Sequence, residues 1–465
     1  MPIKINGTKT TSTTKMTGTI TGTITGTNTN INQYASLASR DSNVNSSYDA
    51  TTMPGTGDPH VHSLLSYSYW SPGETTYGSD VVAKPYYANE YMGTATVDGT
   101  LTSTYKGADS ALWNSLNHTV KQFNDVISMD LTRNDDNHNI NVGSVSTPLG
   151  GFTFGITYGV GGDIFMNNTT DYSEKYGFGQ FALTHEMGHA MGLKHSFEPY
   201  GTNTTVLDPS LDNRVNTVMS YTDYHPIAVS FNSGGGYDKK GIYSDSLMML
   251  DIAALQSMAY GVDTKTTAGN DTYSFDNTPF YHCIWDAGGV DTIDLSATTH
   301  SDKVNMNGGT FSDINYRDKA TQIAEASNYL QHTVGYSKEQ ADYTASVTIN
   351  NVPTDQLYTG EKALSLAYGV VIENVKLGSG DDYVYDNKYN NIISGGDGND
   401  TFYMGAGGYD QVDGGNGIDT VVLPVNKSAV TIGRTANEVY LINDKFSIKL
   451  VGVEDVQFAD QLYIV

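Results

Sequence analysis

Residues 185–195 read His-Glu-Met-Gly-His-Ala-Met-Gly-Leu-Lys-His. His185 and His189 are four apart, so on a helix both project from one face. Glu186 follows the first of them and can reach a water bound to a metal there. Gly192 can take a backbone conformation closed to other residues, ending the helix and turning the chain back. His195 then arrives from outside the helix as a third ligand. Three protein ligands leave a fourth position open, which a catalytic zinc needs and a structural zinc lacks. Zinc in such a site lowers the pKa of its water toward ~7 and polarises a carbonyl, with Glu186 as proton acceptor. His60 and His62, two apart on an extended segment, are weaker candidates for a shared metal, and His118 reads as structural.

A second chemistry lies in the glycines and aspartates. Eleven glycines fall between Gly378 and Gly417. Residues 378–386, 395–403 and 414–422 resemble the nonapeptide Gly-Gly-x-Gly-x-Asp-x-apolar-x. Its sixth positions are Asp382, Asn391, Asp400, Asp410 and Asp419, in steps of 9, 9, 10 and 9. The eighth positions, Val384, Ile393, Phe402, Val412 and Val421, are all apolar. Glycine lets the backbone bend its carbonyls toward a cation, and aspartate adds the hard oxygen that suits calcium. The expected calcium-binding residues are Gly378, Gly380 and Asp382; Gly395, Gly396, Gly398 and Asp400; Gly405, Gly407, Gly408 and Asp410; and Gly414, Gly415, Gly417 and Asp419. Consecutive repeats alternate between two sheets, so one edge should stack Asp382, Asp400 and Asp419. The other edge should hold only Asn391 and Asp410, and should bind more weakly.

The elements that position these groups follow from periodicity. Leu112, Leu116, Val120, Phe123 and Ile127 mark one face of an amphipathic helix. Short strands are expected at Ile140–Val142, Phe152–Tyr158 and Ile164–Met166, then helices over Gly179–Gly192 and Leu247–Met258. Mixed strands and helices suggest an α+β domain over 56–261. After Gly261 helical periodicity weakens, and residues 262–465 read as predominantly β. Residues 1–55 are rich in Thr, Asn, Ser and Gly. They are expected to form a low-complexity tail or a removable pro-segment.

The run 185–195 matches the extended zinc signature of the metzincins, and the order of the two motifs resembles the serralysins. That resemblance implies an α+β metzincin catalytic domain followed by an all-β calcium-binding parallel β-roll. Val218-Met219-Ser220-Tyr221 resembles the Met-containing turn of that class. It implies that Met219 floors the zinc, and that Tyr221 reaches the metal and serves as oxyanion donor. Trp285–Thr292 resembles the first calcium-binding segment of the family, adding Gly269, Asp271, Asp286, Gly288 and Asp291. Gly308–Asp313, Val371–Asn374 and Asp251–Gln256 also resemble serralysin sequence. Ser196 stands where serralysins normally carry proline, and residues 318–365 look like an insertion.

The net charge of −26 argues against nucleic acid, whose phosphates need Lys and Arg clusters. No apolar run approaches the ~20 residues of a membrane helix. Cys283 is the lone cysteine, which excludes an intramolecular disulfide. The start of the chain lacks the apolar region of a classical signal peptide. The resemblance therefore implies a secreted bacterial endopeptidase, exported by a type I system that reads a C-terminal signal. It implies a monomer bearing one catalytic Zn2+ and several structural Ca2+. Its partners would be protein or peptide substrates and a proteinaceous inhibitor. The alternative is a calcium-dependent adhesive or surface-layer protein carrying an inactive peptidase domain.

Overall fold

A computed structural model describes residues 164–258 and 260–465, together with 46–47, 54, 58–66, 76–78, 106–107, 110–133, 140–145 and 151–153. Helix α1, Ser110–Val126, buries Leu112, Leu116, Val120 and Phe123, the face its spacing predicts. It lies against α2, Phe178–Ala190. The contact is partly polar. Ser115 donates to Gln180 Oε1, and Gln180 Nε2 donates to Thr119 at 2.8 Å. Helix α2 is buried on nearly every side, its polar Gln180, Thr184, His185 and Glu186 included.

Six strands form a sheet: five run in the order Thr132–Arg133, Thr76–Gly78, Ile140–Val145, Ile164–Asn167, Gly151–Thr153, and Lys106–Gly107 pairs antiparallel with Ile140–Val145 off that path. Only the last pairing of that path is antiparallel. The expected strand at 152–158 is described only through Thr153; residues 154–163 lie outside the described residues. Helix α3, Met249–Ser257, is also largely buried. Of the segment 1–55, Ser46–Ser47 pairs antiparallel with Gly288–Gly289, and the rest, residue 54 apart, lies outside the described residues.

Beyond Gly261 two sheets face one another. One runs Thr272–Ser274, Thr292–Asp294, Asn374–Lys376, Ile392–Ser394, Gly408–Asp413 and Phe446–Val451, all parallel, and closes with two antiparallel strands. The other runs Lys303–Asn305, Tyr383–Tyr385, Thr401–Tyr403, Thr420–Val422 and Asp455–Gln457 in parallel, with Leu462–Ile464 antiparallel at its edge. The apolar eighth positions fall in register: Val384 on Phe402 on Val421 in one sheet, and Ile393 on Val412 in the other. All five are buried, so the space between the sheets is filled by these side chains. The ten-residue step is absorbed in the turn before Asp410, where Asp386 accepts from the N–H groups of Gly405 at 2.7 Å and Ala406 at 3.0 Å.

The second half departs from an all-β reading at residues 319–350. Helix α4, Lys319–Tyr329, continues as one π-turn, Leu330–Val334, and α5, Lys338–Asn350, packs back on α4. Asp318 and Ser337 cap the two helices through their side chains. Small buried residues, Ala326, Ala341 and Ala345, line their contact. Such residues carry little hydrophobic signal, so the apolar periodicity is thin. The pair covers a hairpin, Ile227–Phe231 with Tyr237–Gly241, through a small separate core that includes Leu330, Ile349 and Leu357. A larger apolar cluster runs from Val61 to Phe458, so the two halves share one packed interior.

Candidate metal centres

Helix α2 carries His185 and His189 on one face. Gly192, at φ 96°, ends it. Leu193 then pairs with Leu65, and the N–H of Lys194 donates to Leu64 at 2.9 Å, turning the chain so that His195 returns to the helix. Each imidazole is oriented through Nδ1. That of His185 donates to the Val218 carbonyl at 2.7 Å, that of His189 to the Leu193 carbonyl at 2.9 Å, and that of His195 bonds Glu198. A carbonyl only accepts, so in His185 and His189 the Nε2 atoms keep their lone pairs. One nitrogen from each ring lies within 4.8 Å of the others. The Nε2 atoms of His189 and His195 are 3.0 Å apart. Three imidazoles whose nitrogens converge in this way, with a fourth position open, suit zinc.

Burial pushes His185 down to about 3 and His189 well below its ordinary value. Both favour the neutral form that a metal needs. Tyr221 approaches from the other side, its hydroxyl 3.0 Å from His195 Nε2. Although 59% of its surface is exposed, loss of water around its ring pushes the phenol above its ordinary value. The charges of Glu186 and Glu198 add to the shift. Glu186 itself is 8% exposed, in the wall beside His185. The structure thus brings together His185, His189, His195 and Tyr221, with the charge of Glu186 close to the phenol.

Two residues hold this group from below, Met219 of the Met-containing turn and Asp251, which the sequence did not single out for this role. Met219 is fully buried, and a Cβ on Gly188 would lie 2.9 Å from its sulfur, so the glycine inside the histidine motif admits that side chain. Asp251 on α3 accepts from the N–H of Val218 at 2.8 Å, from the hydroxyl of Thr217, and from the N–H of Met248 at 2.9 Å. It thereby holds Val218, the residue whose carbonyl orients His185. Burial lifts its carboxyl to about 7 against the pull of these hydrogen bonds. The available signal was its place in the first turn of α3, where an acidic residue favours the helix terminus. His60 lies beside Asp58, His62 bonds Thr205, and His118 bonds the Asp245 carbonyl; among the described residues none joins a metal-type cluster.

The carboxylates of the second half form two ladders. Along one edge the N–H of Asp382 donates to Asp400 Oδ1 at 2.9 Å, and the N–H of Asp400 to Asp419 Oδ1 at 2.9 Å. Along the other, Asp271 donates to Asp291, Asp291 to Glu373 at 2.8 Å, and Asn391 to Asp410 at 3.0 Å. That edge therefore holds more than the expected Asn391 and Asp410. The strands following Asp271, Asp291 and Glu373 stack in the same sheet as theirs. Asp271, Asp286 and Asp291 bring ligand atoms within 4.8 Å of one another, with Gly289, at φ 155°, pressed on the Gly269 carbonyl.

Asp291, Asp382, Asp400, Asp410 and Asp419 each bury one oxygen with no hydrogen-bond partner among the described residues. Burial pushes Asp382 up to about 8 and Asp400 to about 7, with neighbouring carboxylates adding to the shift. Buried carboxylate oxygens without donors, crowded by like charge, fit hard cations.

Residues 253–339 match the family described as Peptidase M10 serralysin C terminal. A serralysin of Photorhabdus laumondii is 31% identical over 34% of this chain and 35% of its own length. Serralysin B of Dickeya chrysanthemi is 34% identical over 30% of each chain. Metalloprotease AprA of Pseudomonas entomophila is 34% identical over 32% of this chain and 33% of its own. The chain spans about a third of the length of the curated relatives it matches. Over that aligned third, this protein is serralysin-like.

Proposed function

We propose that this chain is a secreted zinc-dependent endopeptidase. The division offered is a tail or pro-segment over 1–55, a metzincin-type catalytic domain over 56–261, and a calcium-binding parallel β-roll with β-sandwich and C-terminal export signal over 262–465. The observation that carries the reading is the convergence of three imidazoles beside a buried glutamate and a phenol. The aligned relatives, a serralysin and a metalloprotease, favour the same activity.

His185, His189 and His195 would hold the metal. When bound, zinc supplies a Lewis acid and an acidified water. Glu186 takes a proton on its carboxylate and returns it to the leaving amine. Tyr221, its phenol kept protonated, donates a hydrogen bond to the oxygen that gains charge in the transition state. The carboxylate ladders would take Ca2+ where extracellular concentrations fill sites of moderate affinity.

The test is digestion of casein by the full chain, with and without a zinc chelator, beside Glu186→Ala. The variant should retain zinc and lose most turnover. Near-native digestion by Glu186→Ala would overturn the mechanism. Bound zinc without hydrolysis by the native chain would return the adhesive reading.

A further inference from the structure

The aspartate ladder does not begin at the first glycine-rich repeat. The N–H of Asp302 donates to Asp382 Oδ1 at 2.6 Å, as that of Asp382 donates to Asp400 and that of Asp400 to Asp419. The following peptide repeats the pattern. The N–H of Tyr383 donates to the Asp302 carbonyl at 2.8 Å, and those of Thr401 and Thr420 donate to Asp382 and Asp400 at the same distance. Val304 pairs with Val384 as Val384 pairs with Phe402. Residues 297–305 are therefore one more turn of the same stack, 80 residues away in sequence and without a glycine.

The carbonyls also align. A Cβ on Gly378 would lie 2.2 Å from the Thr298 carbonyl oxygen, and one on Gly396 would lie 2.2 Å from that of Gly378. A Cβ on Gly380 would lie 2.8 Å from the His300 oxygen, and one on Gly398 would lie 1.8 Å from that of Gly380. The carboxylate of Asp382 faces this turn, since its Oδ1 accepts from Asp302. Its Oδ2 is buried in a residue with no exposed surface and has no partner among the described residues. Asp302 is equally buried, and its oxygens accept from Asn315 N–H and the Thr298 hydroxyl. Each still has a second lone-pair direction.

We infer that this rung is a further divalent-cation site, formed by the carboxylates of Asp302 and Asp382 with the main-chain carbonyls of Thr298 and His300, and that it takes calcium. It rests on the proposed calcium-binding roll and extends it below the repeats. All its donors are oxygens, two of them anionic, which suits a hard cation of variable geometry. The turn is held from outside as well: His300 bonds Asn315 at 2.9 Å and Glu325 of α4.

The test is the calcium stoichiometry of the full chain by native mass spectrometry, beside Asp302→Asn and Asp400→Ala. Asp302→Asn should lose one ion, or bind it ~10-fold more weakly because a ligand charge is gone. Asp400→Ala acts on the rungs above. Unchanged stoichiometry and affinity in Asp302→Asn, with loss in Asp400→Ala, overturns this site and leaves the roll standing. A native chain that binds no calcium overturns both. Should Asp302→Asn misfold, crystals of the native chain soaked in terbium decide. An anomalous peak between Asp302 and Asp382 supports the site. Peaks confined to the Asp382–Asp400 and Asp400–Asp419 rungs overturn it.

Discussion

His185 commits its Nδ1 proton to the Val218 carbonyl, and Val218 is held in turn by Asp251. That relay gives Asp251 an effect on metal affinity without touching the metal. Asp251→Asn puts an amide donor where N–H and O–H groups already point, and should weaken zinc binding ~10- to 100-fold. Competition against a chromophoric chelator measures this; equal affinity would show that Val218 is positioned by other contacts. Tyr221 acts differently. Its hydroxyl sits at the mouth of the histidine trio, and its raised pKa keeps the proton on at neutral pH. Tyr221→Phe should lower kcat ~100-fold or more with little change in KM, because the hydrogen bond strengthens as charge develops. Steady-state kinetics on a peptide substrate reads the split, and an unchanged kcat would make Tyr221 a packing residue.

Elements were legible where one residue type carries the constraint. Helix α2 was, because His185, His189 and Gly192 are spaced for it, and so was the register of the glycine-rich turns, through Val384, Phe402 and Val421. Helices α4 and α5 were not, because Ala326, Ala341 and Ala345 pack by being small rather than by being strongly apolar. Nor was the turn over 297–305, whose carbonyls align without glycine, so only the fold shows its kinship with Gly378–Asp382. Asp251 was invisible as a functional residue, since its partners are main-chain groups of a distant turn. The ladders also rank the elements. Asp400 bonds a rung below and a rung above, whereas Asp410 receives only the neutral Asn391. Asp400→Ala should therefore cost more calcium affinity than Asp410→Ala. Equal losses in a calorimetric titration would contradict the two-edge register.

At the scale of the molecule, a net charge of −26 is concentrated in part into buried rungs. Folding raises Asp382 to about 8 and Asp400 to about 7, above ordinary carboxylates. A raised acid makes the folded state bind more protons than the unfolded one. Without cations, stability is thus greatest below pH ~4 as far as these groups are concerned. It falls as pH rises toward the folded pKa values of about 7 and about 8. Calcium compensates the charge and opposes that fall. In a chelator the Tm of the second half should drop between pH 5 and pH 8, and the gap between chelator and calcium should widen over the same range. Differential scanning calorimetry checks this; a gap independent of pH would mean that the carboxylates are not what calcium stabilises.

The unequal reach of the rungs has a kinetic meaning. Asp382 and Asp400 are 18 residues apart, whereas Asp302 to Asp382 spans 80 and Asp291 to Glu373 spans 82. Closing the longer loops costs about two doublings of length, or ~1.2 kcal/mol more. The short rungs should close first and serve as a nucleus onto which strands Thr292–Asp294 and Lys303–Asn305 later dock. Pulse-labelled amide exchange should protect Phe402 and Val421 before Ile293 and Val304. Simultaneous protection would mean that the ladder closes as one cooperative unit. A polypeptide built this way crystallises from its repeats outward, with the helical excursion α4–α5 carried as slack between two points that meet late.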